Sequence, residues 1–189
     1  MNEQRKNKGK LVIVSGPSGV GKGTICKEVI KRLDDVCISV SVTTRVPADG
    51  EVDGVDYWFV SAEKFQEYID NGSLLEYADV FGNMYGTPKG KVDEVLSKGK
   101  TVILEIDVQG AKQVKVLYHD AKMIFILPPT HKDLAKRLNH RGRETPEVVE
   151  KRINHADDEI AVGWQYYDRM VINEDLEQAV NEVVEIIQN

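Results

Sequence analysis

Few folds accommodate the segment from Lys10 to Leu33. An apolar run, Lys10 to Ser15, ends in Gly16-Pro17-Ser18-Gly19-Val20-Gly21-Lys22-Gly23-Thr24, after which Ile25, Val29, Ile30 and Leu33 recur at helical spacing. The order is buried strand, glycine loop, helix. Glycines let the backbone curl so that several N–H groups face one anion. The helix N-terminus adds its positive end, and Lys22 supplies a mobile cation for β- and γ-phosphates. A G-x-x-x-x-G-K match between a strand and a helix is therefore a phosphate-binding P-loop. An ordinary turn needs neither three glycines nor a lysine at the start of an apolar helix. The general pattern has Ser or Thr after the lysine, where this chain has Gly23, so Thr24 is the hydroxyl candidate for magnesium, directly or through water.

The rest of the chain alternates strands with helices. Val36 to Val42 is β-branched and reads as a second strand, ending at the turn chemistry of Pro47, Gly50 and Gly54. From about Thr43 to Pro88 the character changes. Strand candidates at Tyr57 to Val60 and Leu74 to Phe81 flank an amphipathic helix that Ser61 can cap, which predicts an inserted α+β lobe. A helix stopped by Gly99 precedes a strand at Thr101 to Val108 carrying Glu105 and Asp107 near its end. Another buried strand spans Lys122 to Leu127. The last third is helical except for a strand at Met170 to Asn173. Thr145-Pro146-Glu147 starts a long helix whose apolar stripe is Val149, Ile153, Ala156 and Ile160. Such alternation predicts an α/β fold with a parallel central sheet covered on both faces and ligands at the carboxyl ends of its strands.

Composition narrows the function. With 189 residues, 41% hydrophobic and 30% charged, one globular domain is expected. A net charge of −6 argues against a nucleic-acid or acidic-membrane binder, so phosphate chemistry must rely on local basic clusters. No apolar run approaches the roughly 20 residues of a membrane span, and the polar, basic Met1 to Lys10 stretch lacks the centre of a secretory signal. The expected location is the cytoplasm. Cys26 and Cys37 are expected as buried free thiols, and neither they nor the four scattered histidines form a metal pattern. Nothing calls for an obligatory protein partner.

P-loops serve GTPases, ATPases and nucleotide kinases alike, so other residues must decide. After the P-loop come Ser39-Val40-Ser41-Val42-Thr43-Thr44-Arg45-x-Pro47 and Gly50-Glu51-Val52-Asp53-Gly54-Val55-Asp56-Tyr57. Then follow Glu76, Gly82-Asn83-Met84-Tyr85-Gly86-Thr87, Ile106-Asp107-Val108-Gln109-Gly110, Arg137-Leu138, Arg141-Gly142 and Val171-Ile172-Asn173. In order and spacing this series resembles the guanylate kinase family over nearly all of the chain after residue 10.

The resemblance implies a P-loop three-layer α/β fold with a core at about 10–42, 89–128 and 168–189, an inserted GMP-binding lobe at about 43–88 and a helical lid at about 137–155. It implies ATP and GMP as substrates, Mg2+ as cofactor, and ADP and GDP as products. Glu76 would read guanine, since one carboxylate can accept from both N1–H and N2–H₂ whereas adenine presents an unprotonated N1. Ser41, Thr87 and Asp107 match the family's other guanine contacts. Arg45, Tyr57 and Tyr85 match its GMP-phosphate ligands, as a guanidinium and two phenols suit a dianion. Asn173 matches a residue near the ATP adenine. Asp107, or Glu105 two residues earlier, is placed to orient magnesium-bound water, with Asp107 preferred. The departure is Ala48, where members commonly carry a second phosphate-binding Arg.

Between Lys132 and Arg152 seven basic residues face four acidic ones. Arg137 and Arg141 share a helical face before a break at Gly142, and Arg152 lies on the next helix, an arrangement suited to a lid that brings arginines over the triphosphate. The nucleophile is already a phosphate oxygen, so no general base is required. Three other readings stay open. Asp107-x-x-Gly110 imitates a GTPase element, though no N-K-x-D guanine reader occurs. A guanylate-kinase-like binding module would more usually have a damaged P-loop. Another nucleoside monophosphate remains possible as acceptor.

Overall fold

The computed structural model describes residues 9–140 and 146–189. In chain order its elements are β1 (Leu11–Ser15), α1 (Lys22–Arg32), β2 (Val36–Ile38), β3 (Val42–Thr43), β4 (Trp58–Phe59), α2 (Ala62–Asp70), β5 (Leu74–Val80), β6 (Asn83–Pro88), α3 (Lys89–Ser97), β7 (Thr101–Glu105), α4 (Val108–Leu117), β8 (Lys122–Leu127), α5 (His131–His140), α6 (Pro146–Tyr166), β9 (Arg169–Ile172) and α7 (Leu176–Gln188). A five-stranded sheet runs β2-β7-β1-β8-β9 with all neighbours parallel. A second, four-stranded sheet runs β4-β3-β6-β5 and is mixed.

Period-two alternation sorts the central strands onto two cores. Val12 and Val14 of β1 join Ile25, Cys26 and Val29 of α1 and Val180, Val183 and Ile187 of α7 on one face. Leu11 and Ile13 join Val92 of α3 and Ala111 and Val114 of α4 on the other. Buried Val, Leu and Ile side chains contribute about 1.5–3 kcal/mol each, which holds three layers together and leaves the carboxyl ends of β1, β7 and β8 pointing at one cleft.

Several boundaries differ from expectation. The run Val36 to Val42 is not one strand. It leaves the central sheet after Ile38, Ser39 N–H still donating to Ile103 O at 2.9 Å, and resumes in the second sheet with Val42 opposite Trp58 and Gly86. β-Propensity specifies an extended chain but not its neighbour. The strand expected to reach Val108 ends at Glu105, because Asp107 caps α4: its carboxylate accepts the Gly110 N–H at 2.9 Å. Strand β6 was not among the strands expected from the sequence; it forms because β5 pairs with it in a hairpin. Cys37 is half-buried rather than buried. Ser61 caps α2 and Gly99, at φ 75°, follows α3 as expected, while the Thr145 cap lies outside the described residues.

The β5–β6 hairpin closes between Val80 and Asn83 on Phe81 and Gly82, whose φ angles of 53° and 80° are both positive, as in a type I′ turn. The Asp79 carboxylate accepts the Gly82 N–H at 2.8 Å.

Candidate active site

Gly16, Gly19 and Gly21 have positive φ, and neighbours press on the loop they shape. A Cβ at Gly16 would lie 2.3 Å from the Ile126 carbonyl oxygen, and one at Gly21 would lie 2.5 Å from Asn173 Nδ2. The side chain at position 22 arches back over this loop, its ammonium donating to Gly16 O at 2.6 Å and Pro17 O at 3.2 Å. Asn173, just past β9, is buried and donates to Val20 O at 2.8 Å. Arg137 of α5 donates to the same Val20 carbonyl at 3.0 Å and to Asn173 O at 2.8 Å, while Arg152 of α6 donates to Ser18 Oγ at 2.7 Å. Lys22, Arg137, Arg152 and Asn173 thus gather on the residues 16–24 that sequence singled out: Gly16, Pro17, Ser18, Gly19, Val20, Gly21, Lys22, Gly23 and Thr24. Arg141 lies outside the described residues.

Across the cleft the second sheet supplies two side-chain clusters. The first is Glu76 with Thr87. Glu76 is 3% exposed, and Thr87 Oγ1 donates to its Oε1 at 2.6 Å. Burial lifts the Glu76 carboxyl to about 7, with the Thr87 hydrogen bond opposing and the Asp107 charge reinforcing. A Cβ at Gly110 would stand 2.2 Å from Glu76 Oε2, so glycine at the start of α4 is what gives the carboxylate room.

The second cluster is Arg45, Tyr57 and Tyr85. Arg45 Cζ lies 5.4 Å from the Tyr57 ring centroid, and the two tyrosine rings are 5.9 Å apart. Arg45 Nη2 donates to both Glu51 oxygens, at 2.8 and 2.9 Å. Burial alone would pull the Arg45 pKa down, but the Glu51 hydrogen bond and the neighbouring Tyr85 raise it from its ordinary value. Burial acts the other way on the Tyr57 phenol and raises it. Glu51 also accepts the Ala48 N–H at 2.7 Å, so position 48 serves here through its backbone. Ser41 sits in the crossing between β2 and β3, its carbonyl accepting the Trp58 N–H at 2.8 Å.

The acidic residues divide by position. Asp107 has both oxygens engaged, one by Gly110 N–H and one by Gln109 Nε2 at 3.1 Å, and it stands on the Glu76 side. Glu105, at the end of β7, faces the loop: a Cβ at Gly23 would meet its Oε2 at 3.3 Å. Glu159 of α6 was missed from the sequence. It is 7% exposed, and burial raises its pKa against the opposing charges of Lys22 and His155 and with support from Asp107. Its position seven residues after Arg152, hence on the same helical face, was the available signal.

The model of the family described as "Guanylate kinase" matches residues 8–189. The chain is similar to the guanylate kinase of Clostridioides difficile (strain 630), 50% identical over 182 residues, or 96% of this chain and 88% of that one. It is 49% identical over 181 residues to that of Carboxydothermus hydrogenoformans, again 96% of this chain and 88% of the other. A crystal structure of guanylate kinase from Anaplasma phagocytophilum superposes with a TM-score of 0.80 at 32% identity, covering 95% of this chain and 85% of that one.

Proposed function

The chain belongs to the guanylate kinase family, and from that premise we propose that its cleft binds ATP on the loop 16–24 and GMP on the second sheet, with the side chains described above in specific roles. It is a nucleoside monophosphate kinase that converts ATP and GMP to ADP and GDP. The core at about 10–42, 89–128 and 168–189 carries the donor, the lobe at about 43–88 the acceptor, and the segment at about 137–155 acts as a lid. The observation that carries the acceptor assignment is a carboxylate, Glu76, buried opposite a P-loop with a hydroxyl already bonded to one oxygen.

Ionised Glu76 accepts from guanine N1–H and N2–H₂, with Ser41, Thr87 and Asp107 around the base. Adenine would leave the carboxylate unpaired in a buried site, a loss large enough for roughly 10⁴-fold discrimination. Arg45, Tyr57 and Tyr85 hold the GMP phosphate. An oxygen of that phosphate attacks the γ-phosphorus in line and needs no base, so the protein contributes position and charge. Lys22, Arg137, Arg141 and Arg152 spread the charge that develops on the transferred group, and the lid excludes water.

The oxygen donors fit Mg2+. Among the described residues no group of three or more His, Cys, Asp or Glu is placed to hold a metal; Mg2+ is ordinarily held by one or two protein oxygens together with substrate phosphates and water. Thr24 and Asp107 are the sequence-derived donors, and Glu105, beside Gly23, joins them on position. When bound, the ion supplies charge neutralisation to the β- and γ-oxygens.

The reading includes a cytoplasmic location for the reaction. None of the described helices is long and apolar enough to cross a membrane. The test is an acceptor panel with ATP and magnesium. GMP should be converted to GDP well ahead of AMP, CMP and UMP. Preferred phosphorylation of another monophosphate, or nucleotide hydrolysis that needs no acceptor, would overturn the assignment.

A further inference from the structure

Phe81 occupies a place where a hairpin turn of this geometry normally takes Asn, Asp or Gly. At φ 53° it is the one non-glycine residue with positive φ among those described, and the residue is 44% exposed, so core packing does not explain it. A bulky side chain in the left-handed region is disfavoured and persists where surrounding contacts over-determine it. Those contacts come from α6. The Arg152 guanidinium carbon lies 5.0 Å from the Phe81 ring centroid, and the His155 ring meets Phe81 edge-on at 5.5 Å and 74°. The same Arg152 donates to Ser18 Oγ in the P-loop. One guanidinium therefore touches the donor loop on one side and, through an aromatic face, the tip of the strand pair that carries Glu76 on the other.

We propose that Phe81 is a positioning residue for phosphoryl transfer. Its ring seats Arg152 against the P-loop when the β5–β6 turn is drawn up to α6, so that closure of the acceptor side and delivery of Arg152 to the triphosphate are one event. This rests on the donor and acceptor assignment made above and adds the link between the two sites. A cation over an aromatic face is held without competing for the hydrogen bonds that the guanidinium makes elsewhere. Without the ring, the long Arg152 side chain regains rotamer freedom and the productive geometry is populated less often.

The test uses Phe81→Asn, since Asn tolerates positive φ and keeps the turn, together with Phe81→Trp, Arg152→Ala and the double variant Phe81→Asn/Arg152→Ala. Phe81→Asn should lower kcat about tenfold with KM for GMP within about twofold, leave Tm no lower than the parent, and be rescued in Phe81→Trp. A titration with a non-hydrolysable ATP analogue in the presence of GMP gives a readout independent of turnover. The two single variants should each weaken binding, and the double variant no more than the worse of them. Independent, multiplicative losses, or a Phe81→Asn enzyme with the parent's kcat, would overturn the link. Non-additive binding across the variants, with a parent that leaves GMP unconverted, would sink the acceptor assignment instead.

Discussion

The two halves of the cleft are built from different materials. The donor side is main chain: three positive-φ glycines shape one short segment, and Lys22, Arg137 and Asn173 bind that segment's own carbonyls. The acceptor side is side chain: Arg45, Tyr57, Glu76, Tyr85 and Thr87 come from strands and loops far apart in sequence and meet because β3, β4, β5 and β6 pair. A main-chain pocket tolerates variation in most of its side chains but little in its backbone; a side-chain pocket does the reverse. On the proposed assignment the donor half would grip any triphosphate, while discrimination would reside in the acceptor half.

The sharpest attempt to break that contrast is Lys22→Ala, which removes the ammonium that folds back over the loop itself. Turnover should fall by about 10³-fold while GMP binding by titration is retained; loss of both would mean the halves are not separately built. Next is Glu76→Gln. A carboxamide keeps one acceptor but faces guanine with a donor, so the preference for GMP over AMP should drop by about 10²-fold in competition assays, with little change in KM for ATP.

The same residue carries a pH signature. A free glutamate ionises near 4.5, whereas buried Glu76 does so near 7, so between those values the folded state holds a proton that the unfolded state has released. Its contribution to stability is then lost as pH rises from about 4.5 to 7, by at most about 3 kcal/mol, and is flat above. Glu76→Gln should raise Tm at pH 8 and leave it unchanged at pH 4.5. GMP affinity should move oppositely, strengthening as pH rises through 7 in the parent but not in the variant, which controls for titration of the substrate phosphate. Arg45→Lys, which gives up the planar guanidinium, should raise KM for GMP about tenfold. Smallest of all, Ser61→Ala removes the α2 cap and should lower stability by about 1 kcal/mol with kcat unchanged, as a structural position on the acceptor side ought to.

The contrast also governs how much was legible in the sequence. The loop at Gly16 to Thr24 could be read from first principles, because strand, glycines and helix are contiguous and their spacing is their geometry. The central strands β1, β8 and β9 were likewise legible within a residue from apolar runs. The acceptor side was not. Glu76 and Arg45 look like ordinary surface charges in isolation, and only resemblance to a family assigned them. β6 was hidden by Gly86 and Pro88 because its stability comes from its partner strand. The exchange of sheets after Ile38 left no mark in a continuous β-branched run. Phe81 was missed for the same reason: its meaning lies in what α6 brings to it, and no local pattern encodes a meeting of distant elements.

The chain enters the second sheet at Val42 and leaves it at Pro88, and Val42 is paired with Gly86. The way in and the way out are therefore side by side, and no strand of the five-stranded sheet intervenes between them. A segment with adjacent ends behaves as a cassette. On the proposed assignment it can lengthen, shorten or be exchanged for one reading a different base without breaking a single ladder of the five-stranded sheet, so new acceptor preferences could be acquired on an unchanged phosphoryl-donating chassis.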